Sequence, residues 1–332
     1  MLTTVANGRV YDFSHCMGMY STSGVGFLVP QDFALGPDNT IFVLNRGVDD
    51  LTLRISKCSL NHEFLSEFGG FGFGEGQFVW PTSIDLDRQE NVYVADENRQ
   101  AISVFDKAGQ FMSKWGTAGS GNGQLNGPSG IAFDREDNLY VVDSKNHRVQ
   151  KFSKEGEYLA GWGQQGSGPG EFQSPWGICV SPHGEVYVAD WKNDRVQRFA
   201  TDGEFLGQYG ETAGNVGGLR RPTGVAVDSD GDVYVADWGN HQLKIYEPEG
   251  KFIATLVGDA ETPSPWAQDY IDANPDIEKA RRRTNMETEW RFNRPIAVNV
   301  SEDGKIYVAE AVRHRIQVYT KEKDYAEAAL NL

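Results

Sequence analysis

The chain has 332 residues, 39% of them hydrophobic and 12% aromatic, enough apolar side chain to bury a large core without a partner. Its 47 acids outnumber its 31 lysines and arginines, and the net charge of −16 repels a phosphate backbone or an anionic membrane, which sets aside nucleic acid and membrane as partners. No run of about 18 apolar residues occurs, and Cys16, Cys58 and Cys179 show neither a pairing framework nor metal-ligand spacing, so the chain reads as cytoplasmic, in a reducing compartment.

In chain order, the opening MLTTVANGRVYDFSH has neither the basic start nor the apolar run of a leader, and within it residues 7–14, NGRVYDFS, have the pattern of a lone strand. From Pro30 the chain repeats itself. Pro30, Pro81, Pro128, Pro175, Pro222 and Pro295 are each followed 11 residues later by an aromatic-rich strand: IFVLN, VYVAD, LYVVD, VYVAD, VYVAD and IYVAE. The three middle intervals are 47 residues, the first 51 and the last 73. Each unit reads as four short strands, A to D, separated by turn chemistry such as DSDG between A and B and KEGE between C and D. A lone four-stranded unit cannot bury both faces, but a ring of them can, which predicts an all-β six-bladed propeller, residues 1–332, with blades opening near 30, 81, 128, 175, 222 and 295. The last unit lacks a strand D, so 7–14, aligned on AGQFMSKW at 108–115, is expected to complete it and remove an open sheet edge.

The long last interval leaves 26 extra residues within an insert at 259–291. Ser264-Pro265 and Asn274-Pro275 each place a capping residue before a helix-starting proline, predicting a short helical flap, expected over the channel mouth, that docks through Trp266 and Trp290. The Arg281–Arg283 run reads as its solvated face, and Arg220 with Arg221 is a lesser basic pair.

The stretches NHRVQKF at 146–152, NDRVQRF at 193–199 and NHQLKIY at 240–246, each preceded by an acid-terminated strand, resemble NHL repeats, and the resemblance spans essentially the whole chain. It implies the propeller fold without naming an activity, because the family includes ubiquitin-ligase substrate or RNA-binding domains, bacterial sensor domains and a peptidyl-hydroxyglycine amidating lyase. The zinc histidines that the lyase resemblance would imply are not matched. The residues after the prolines are Gln31, Thr82, Ser129, Trp176, Thr223 and Ile296.

Residues that recur serve the blade, so departures from the repeat carry the functional signal. His147, His241 and His314 recur after strand B and read as turn residues, and DSDGD at 228–232 reads as an ordinary A–B hairpin, lacking the rest of a calcium loop. B–C and D–A loops share one face, and there the departures are His15, Asn45, Arg46, Trp80, Trp176, Trp191, Trp238, Glu310 and Arg313. On the inner strands Asp32, Asp85 and Asn299 break a rule of small residues in neighbouring blades, an oxygen set suited to calcium or magnesium, with a hydrogen-bonded polar plug as the competing account.

Two functions follow. In the first, a small molecule binds at the mouth under the flap, touching Asn45, Trp80, Trp176, Trp191, Trp238, Trp266 and Glu310. If that site is catalytic, it is a hydrolase or lyase, with His15 as general base, Arg46 or Arg313 stabilising an anion, and a cation at Asp32, Asp85 and Asn299 polarising the substrate. In the second, the same aromatic face is a non-catalytic protein-interaction scaffold for a peptide. A deep pocket favours the first and a flat aromatic surface the second.

Overall fold

The repeat prolines open the innermost strands. A computed structural model describes residues 3–47, 52–210 and 216–322. In it strand A begins at Pro30, Pro81, Pro128, Pro222 and Pro295. In blade four the regular strand is only Ile178–Val180. Each strand A is a sheet edge, where a missing N–H is tolerated, and its proline lies opposite the residue that ends strand B, as Pro128 faces Asp143. Six antiparallel sheets result, each with its four strands in the order A, B, C, D from the axis outward, and the protein is an all-β six-bladed propeller.

Burial explains the strand sequences. Strand B is covered by a blade on each side, so Val92–Asp96, Val186–Asp190 and Val233–Asp237 are buried at every position. Strand D is outermost, and Phe64–Phe68 and Tyr158–Trp162 alternate between half-buried and exposed. The cores lie between blades, as where Leu44 and Ile55 of blade one meet Phe78, Ile84 and Val94 of blade two. Each such side chain contributes about 1.5–3 kcal/mol by leaving water.

The closing strand exists, but its register differs from the expected one. It spans Arg9–Met17 and pairs with Arg315–Glu322, and Met17 opposes Ile316 as Trp115 opposes Ile102, where the alignment had placed Ser14. Apolar burial decides this. Phe13 and Met17 enter the cores on either side while Ser14 stands exposed at a bulge, and the expected register would have buried Ser14 instead. Thr3–Ala6 adds a fifth strand outside it. On the face of the A–B hairpins, Lys321 Nζ lies 2.5, 2.9 and 2.6 Å from Asp228, Asp230 and Asp232, so a lysine ammonium sits among the three carboxylates of DSDGD. Arg9 bonds the same Asp232 through two nitrogens, at 2.6 and 2.7 Å, and ties the closing strand to blade five.

On the opposite, mouth face two hydrogen-bond devices recur. The acid ending strand B accepts an N–H from the preceding D–A loop: Asp143 from Asn126, Asp190 from Gln173, Asp237 from Arg220. One turn later, a residue with positive φ accepts the N–H just before the next blade's proline. His147, His241 and His314 do this through Nδ1, Asp194 and Gln100 through a side-chain oxygen. The recurrent histidines therefore join blade to blade.

The insert forms helices α1 (Pro265–Asp272) and α2 (Pro275–Arg283) at the two expected starts, and a short α3 (Glu287–Trp290). Ser264 caps α1 by accepting the N–H of Ala267, and its hydroxyl donates to the carbonyl of Gly18. The first helix of the insert does not lie over the channel. Trp266 is buried against Phe27, and its Nε1 donates at 2.6 Å to the carbonyl of His62 in the C–D hairpin of blade one, so α1 fills the outer groove between blades six and one. No helix among the described residues is long and apolar enough to cross a membrane.

Candidate binding face at the channel mouth

The axis is nearly full. The hydroxyls of Thr82, Ser129 and Thr223 donate to the carbonyls of Pro128, Pro175 and Pro295, each in the next blade, drawing the inner strands together. A Cβ on Gly177 would stand 2.2 Å from the Thr223 carbonyl oxygen, so only glycine permits that approach. A cavity of about 50 Å³ remains, bordered by Gln31, Asp32, Ser83, Trp176 and Ile296, with room for a water or two. The amide of Gln31 is buried there without a protein partner.

The expected cation ligands do not converge on this cavity. Asp32 accepts from Ser83 Oγ at 2.6 Å and from the amides of Ile84 and Phe33, while Asp85 accepts from the amides of Phe133 and Leu86. Asn299 bonds the amide of Val300. The two carboxylates thus join blade one to two and blade two to three, with their oxygens taken up by these donors. Among the described residues no three His, Cys, Asp or Glu side chains come together as a metal site. Burial pushes Asp32 up to about 6 and Asp85 up to about 7, against the opposing pull of these hydrogen bonds.

Several predicted mouth residues lie elsewhere or are already engaged. His15 is within the closing strand, opposite Val318, rather than in a D–A loop, and its ring stands 5.1 Å from His62 on the outer groove. Burial, then the neighbouring His62 and Lys305, lower it to about 4. Asn45 and Glu310 are fully buried and play the strand-B acid's part, accepting from the amides of Leu28 and Asn293. Arg313 pairs with Glu289 of α3 and donates to the Thr288 carbonyl, which anchors the insert. Trp176 borders the axial cavity.

What the structure does assemble is a set of arginine–tryptophan pairs. Arg46 lies over Trp80 at 4.6 Å, Arg221 over Trp191 at 5.1 Å and Arg294 over Trp238 at 4.8 Å. All three occupy one inter-blade position, made by the residue after the strand-B terminus and the residue before the next proline. In the first junction the partners are exchanged: Arg46 stands where Trp191 and Trp238 stand, and Trp80 where Arg221 and Arg294 stand. A pair kept with its members swapped is a unit, since a guanidinium over an indole gains the same cation–π attraction from either side. Sequence reasoning saw the tryptophans and read Arg221 only as half of a basic pair, and it missed Arg294. The signal available was this reciprocal exchange, hidden because the partners are some 30 to 56 residues apart.

The charges of this face run against those of the whole chain. Arg220, Arg221 and Arg294 are exposed and form no ion pair with a carboxylate among the described residues, and Lys192 is exposed beside them. Of the nearby acids, Asp190 and Asp237 are buried in the strand-B network, and Asp194 accepts the backbone N–H of Arg221 at 2.7 Å. The junctions of blades four with five and five with six thus present these cations, while the insert's Glu287 and Glu289 are paired with Arg291 and Arg313.

Comparisons with known proteins agree with this architecture. A family model described as NHL repeat matches residues 125–152, 172–199, 219–246 and 292–319. Over 44 residues, 13% of this chain, it is 43% identical to Protein brain tumor of Drosophila melanogaster and 46% identical to B-box type zinc finger protein ncl-1 of Caenorhabditis elegans, segments that are 4% and 5% of those proteins. The chain thus spans a small fraction of the curated relatives it matches. Among solved structures it is similar to a Bacteroides thetaiotaomicron protein of unknown function (TM-score 0.62, 20% identity, 95% of this chain and 76% of that one). It is also similar to a streptogramin B lyase (TM-score 0.58, 12% identity, 94% and 98%) and to virginiamycin B lyase of Staphylococcus aureus (TM-score 0.56, 10% identity, 93% and 99%). At such identities the likeness is one of fold. With four matched repeats set in six blades of one design, the chain belongs to the NHL-repeat propellers.

Proposed function

We propose that this propeller is a non-catalytic binding module whose partner docks across the mouth face. The observation that carries the reading is the row of arginine–tryptophan pairs presented by rigid inter-blade junctions. Trp80 is 45% exposed, and Trp191 and Trp238 are partly exposed beside exposed arginines, the aromatic and arginine composition typical of interface anchors. The axial cavity of about 50 Å³ is far below the volume that encloses a small organic ligand, which weighs against the alternative of a hydrolase or lyase working inside the channel.

Site-specific photocross-linking tests it. A photoreactive residue in place of Val312, exposed in the B–C loop of blade six, is expected to capture a discrete partner from native lysate, and one in place of Met112, exposed on the outer strand of blade two, is not. Trp238→Ala with Trp191→Ala should abolish the capture. Equal capture from both positions, or capture indifferent to the tryptophans, refutes the reading.

A further inference from the structure

We infer that the basic arc from blade four to blade six takes an extended acidic polypeptide segment, bound through carboxylates on Arg220, Arg221 and Arg294. This rests on the mouth being a binding face, and it specifies the partner's chemistry. In a chain with net charge −16, three exposed arginines that form no carboxylate ion pair among the described residues, Arg220, Arg221 and Arg294, stand on this arc at successive junctions of adjacent blades, whereas Arg88 and Arg135, exposed in the same way, lie singly on A–B hairpins of the opposite face. Holding a guanidinium over an indole removes much of its side-chain freedom before binding, so less is lost when a carboxylate arrives. Arg221 and Arg294 are fixed further at their backbone, where Asp194 and His241 accept their N–H groups.

The same geometry distinguishes carboxylates from bases. Single-stranded nucleic acid is held by a basic groove together with open aromatic faces on which bases stack. Here Trp191 and Trp238 each have a face covered by a guanidinium, at 5.1 and 4.8 Å. The arc therefore offers charged hydrogen-bond donors with reduced stacking surface. That suits aspartate and glutamate side chains, which guanidinium groups take by paired hydrogen bonds. The rest of the molecule's negative charge repels a polyanion that does not fit the arc, which confines binding to it.

Fluorescence anisotropy on the full chain, with a labelled ten-residue glutamate peptide as probe, tests the inference against a ten-residue glutamine peptide and a ten-nucleotide oligouridylate. The glutamate peptide is expected to bind, and the glutamine peptide not to. Arg221→Gln with Arg294→Gln should weaken binding about tenfold or more, equivalent to about 1.4 kcal/mol. Lys107→Gln with Lys114→Gln makes the same charge change away from the mouth and should alter it less than about twofold, because salt screens distant charges. Arg221→Lys with Arg294→Lys keeps the charge but loses the paired donors, and should fall between. An unchanged melting temperature certifies each variant as folded. Equal weakening by the mouth and distant variants overturns the inference. Oligouridylate binding without glutamate-peptide binding overturns it also, while leaving the mouth as a binding face. Absence of both, with the cross-linked partner still dependent on Trp191 and Trp238, overturns the acidic-segment inference alone.

Discussion

Lys321→Met is expected to loosen the closure of the ring more than any other single change at the seam. The Lys321 side chain is 2% exposed, and its ammonium lies 2.5–2.9 Å from three carboxylates. At about 2.6 Å and an effective dielectric near 20, each contact is worth about 6 kcal/mol of gross attraction, much of it offset by the desolvation of the charges. Removing the lysine takes away the ammonium bonded to Asp228, while Asp232 keeps Arg9. The expected loss is that of breaking a buried pair, about 3–5 kcal/mol, which lowers Tm by about 10 °C in a chain of this size. Urea unfolding monitored by tryptophan fluorescence reads it. Burial lowers the pKa of Lys321, but its bonds to Asp228, Asp232 and Asp230 outweigh that and raise it above its ordinary value. The contribution is therefore fully present below about pH 10.4 and is lost as pH rises through the higher folded value. Lys321→Arg, which keeps a cation among the carboxylates, should lose much less than Lys321→Met. A loss under about 1 kcal/mol, or an equal loss from Lys321→Met and Lys321→Arg, refutes the account of Lys321 as the resident cation.

Two further outcomes are expected. Burial lowers His147 and His314 below the ordinary histidine value, and both accept a backbone N–H through Nδ1, so their stabilisation is present above about pH 6.5 and is lost as pH falls through the lower folded values. Gln100 fills the same role in blade two, so His147→Gln with His314→Gln should keep the bonds and flatten the acid limb of a Tm–pH curve, and an unaltered limb refutes this. Deleting residues 1–8 removes only the fifth strand and should change Tm little, whereas deletion through Met17 removes the strand that closes blade six and should abolish cooperative unfolding. Equal effects of the two deletions refute the closure.

The blade count, the prolines at the axis and the two long helices of the insert were legible because each is written locally: a fixed 47-residue spacing, a missing N–H at a sheet edge, a capping residue before proline. The site was less legible. Asn45 and Glu310 looked like functional departures, yet both do the structural work of the strand-B aspartates, because an amide or a longer carboxylate reaches the same loop N–H. Trp266 and Arg313 were read as mouth groups, and their partners, the His62 carbonyl and Glu289, are supplied by segments remote in sequence or by the insert.

By itself the sequence determined the fold class, since periodicity and turn chemistry act between near neighbours and every blade repeats the same statement. Only the tertiary structure decided the closing register, the course of the insert, the stapling role of Asp32 and Asp85, and the pairing of Arg221 and Arg294 with Trp191 and Trp238. These depend on which blades meet and how closely their inner strands pack, a matter of contact across the ring.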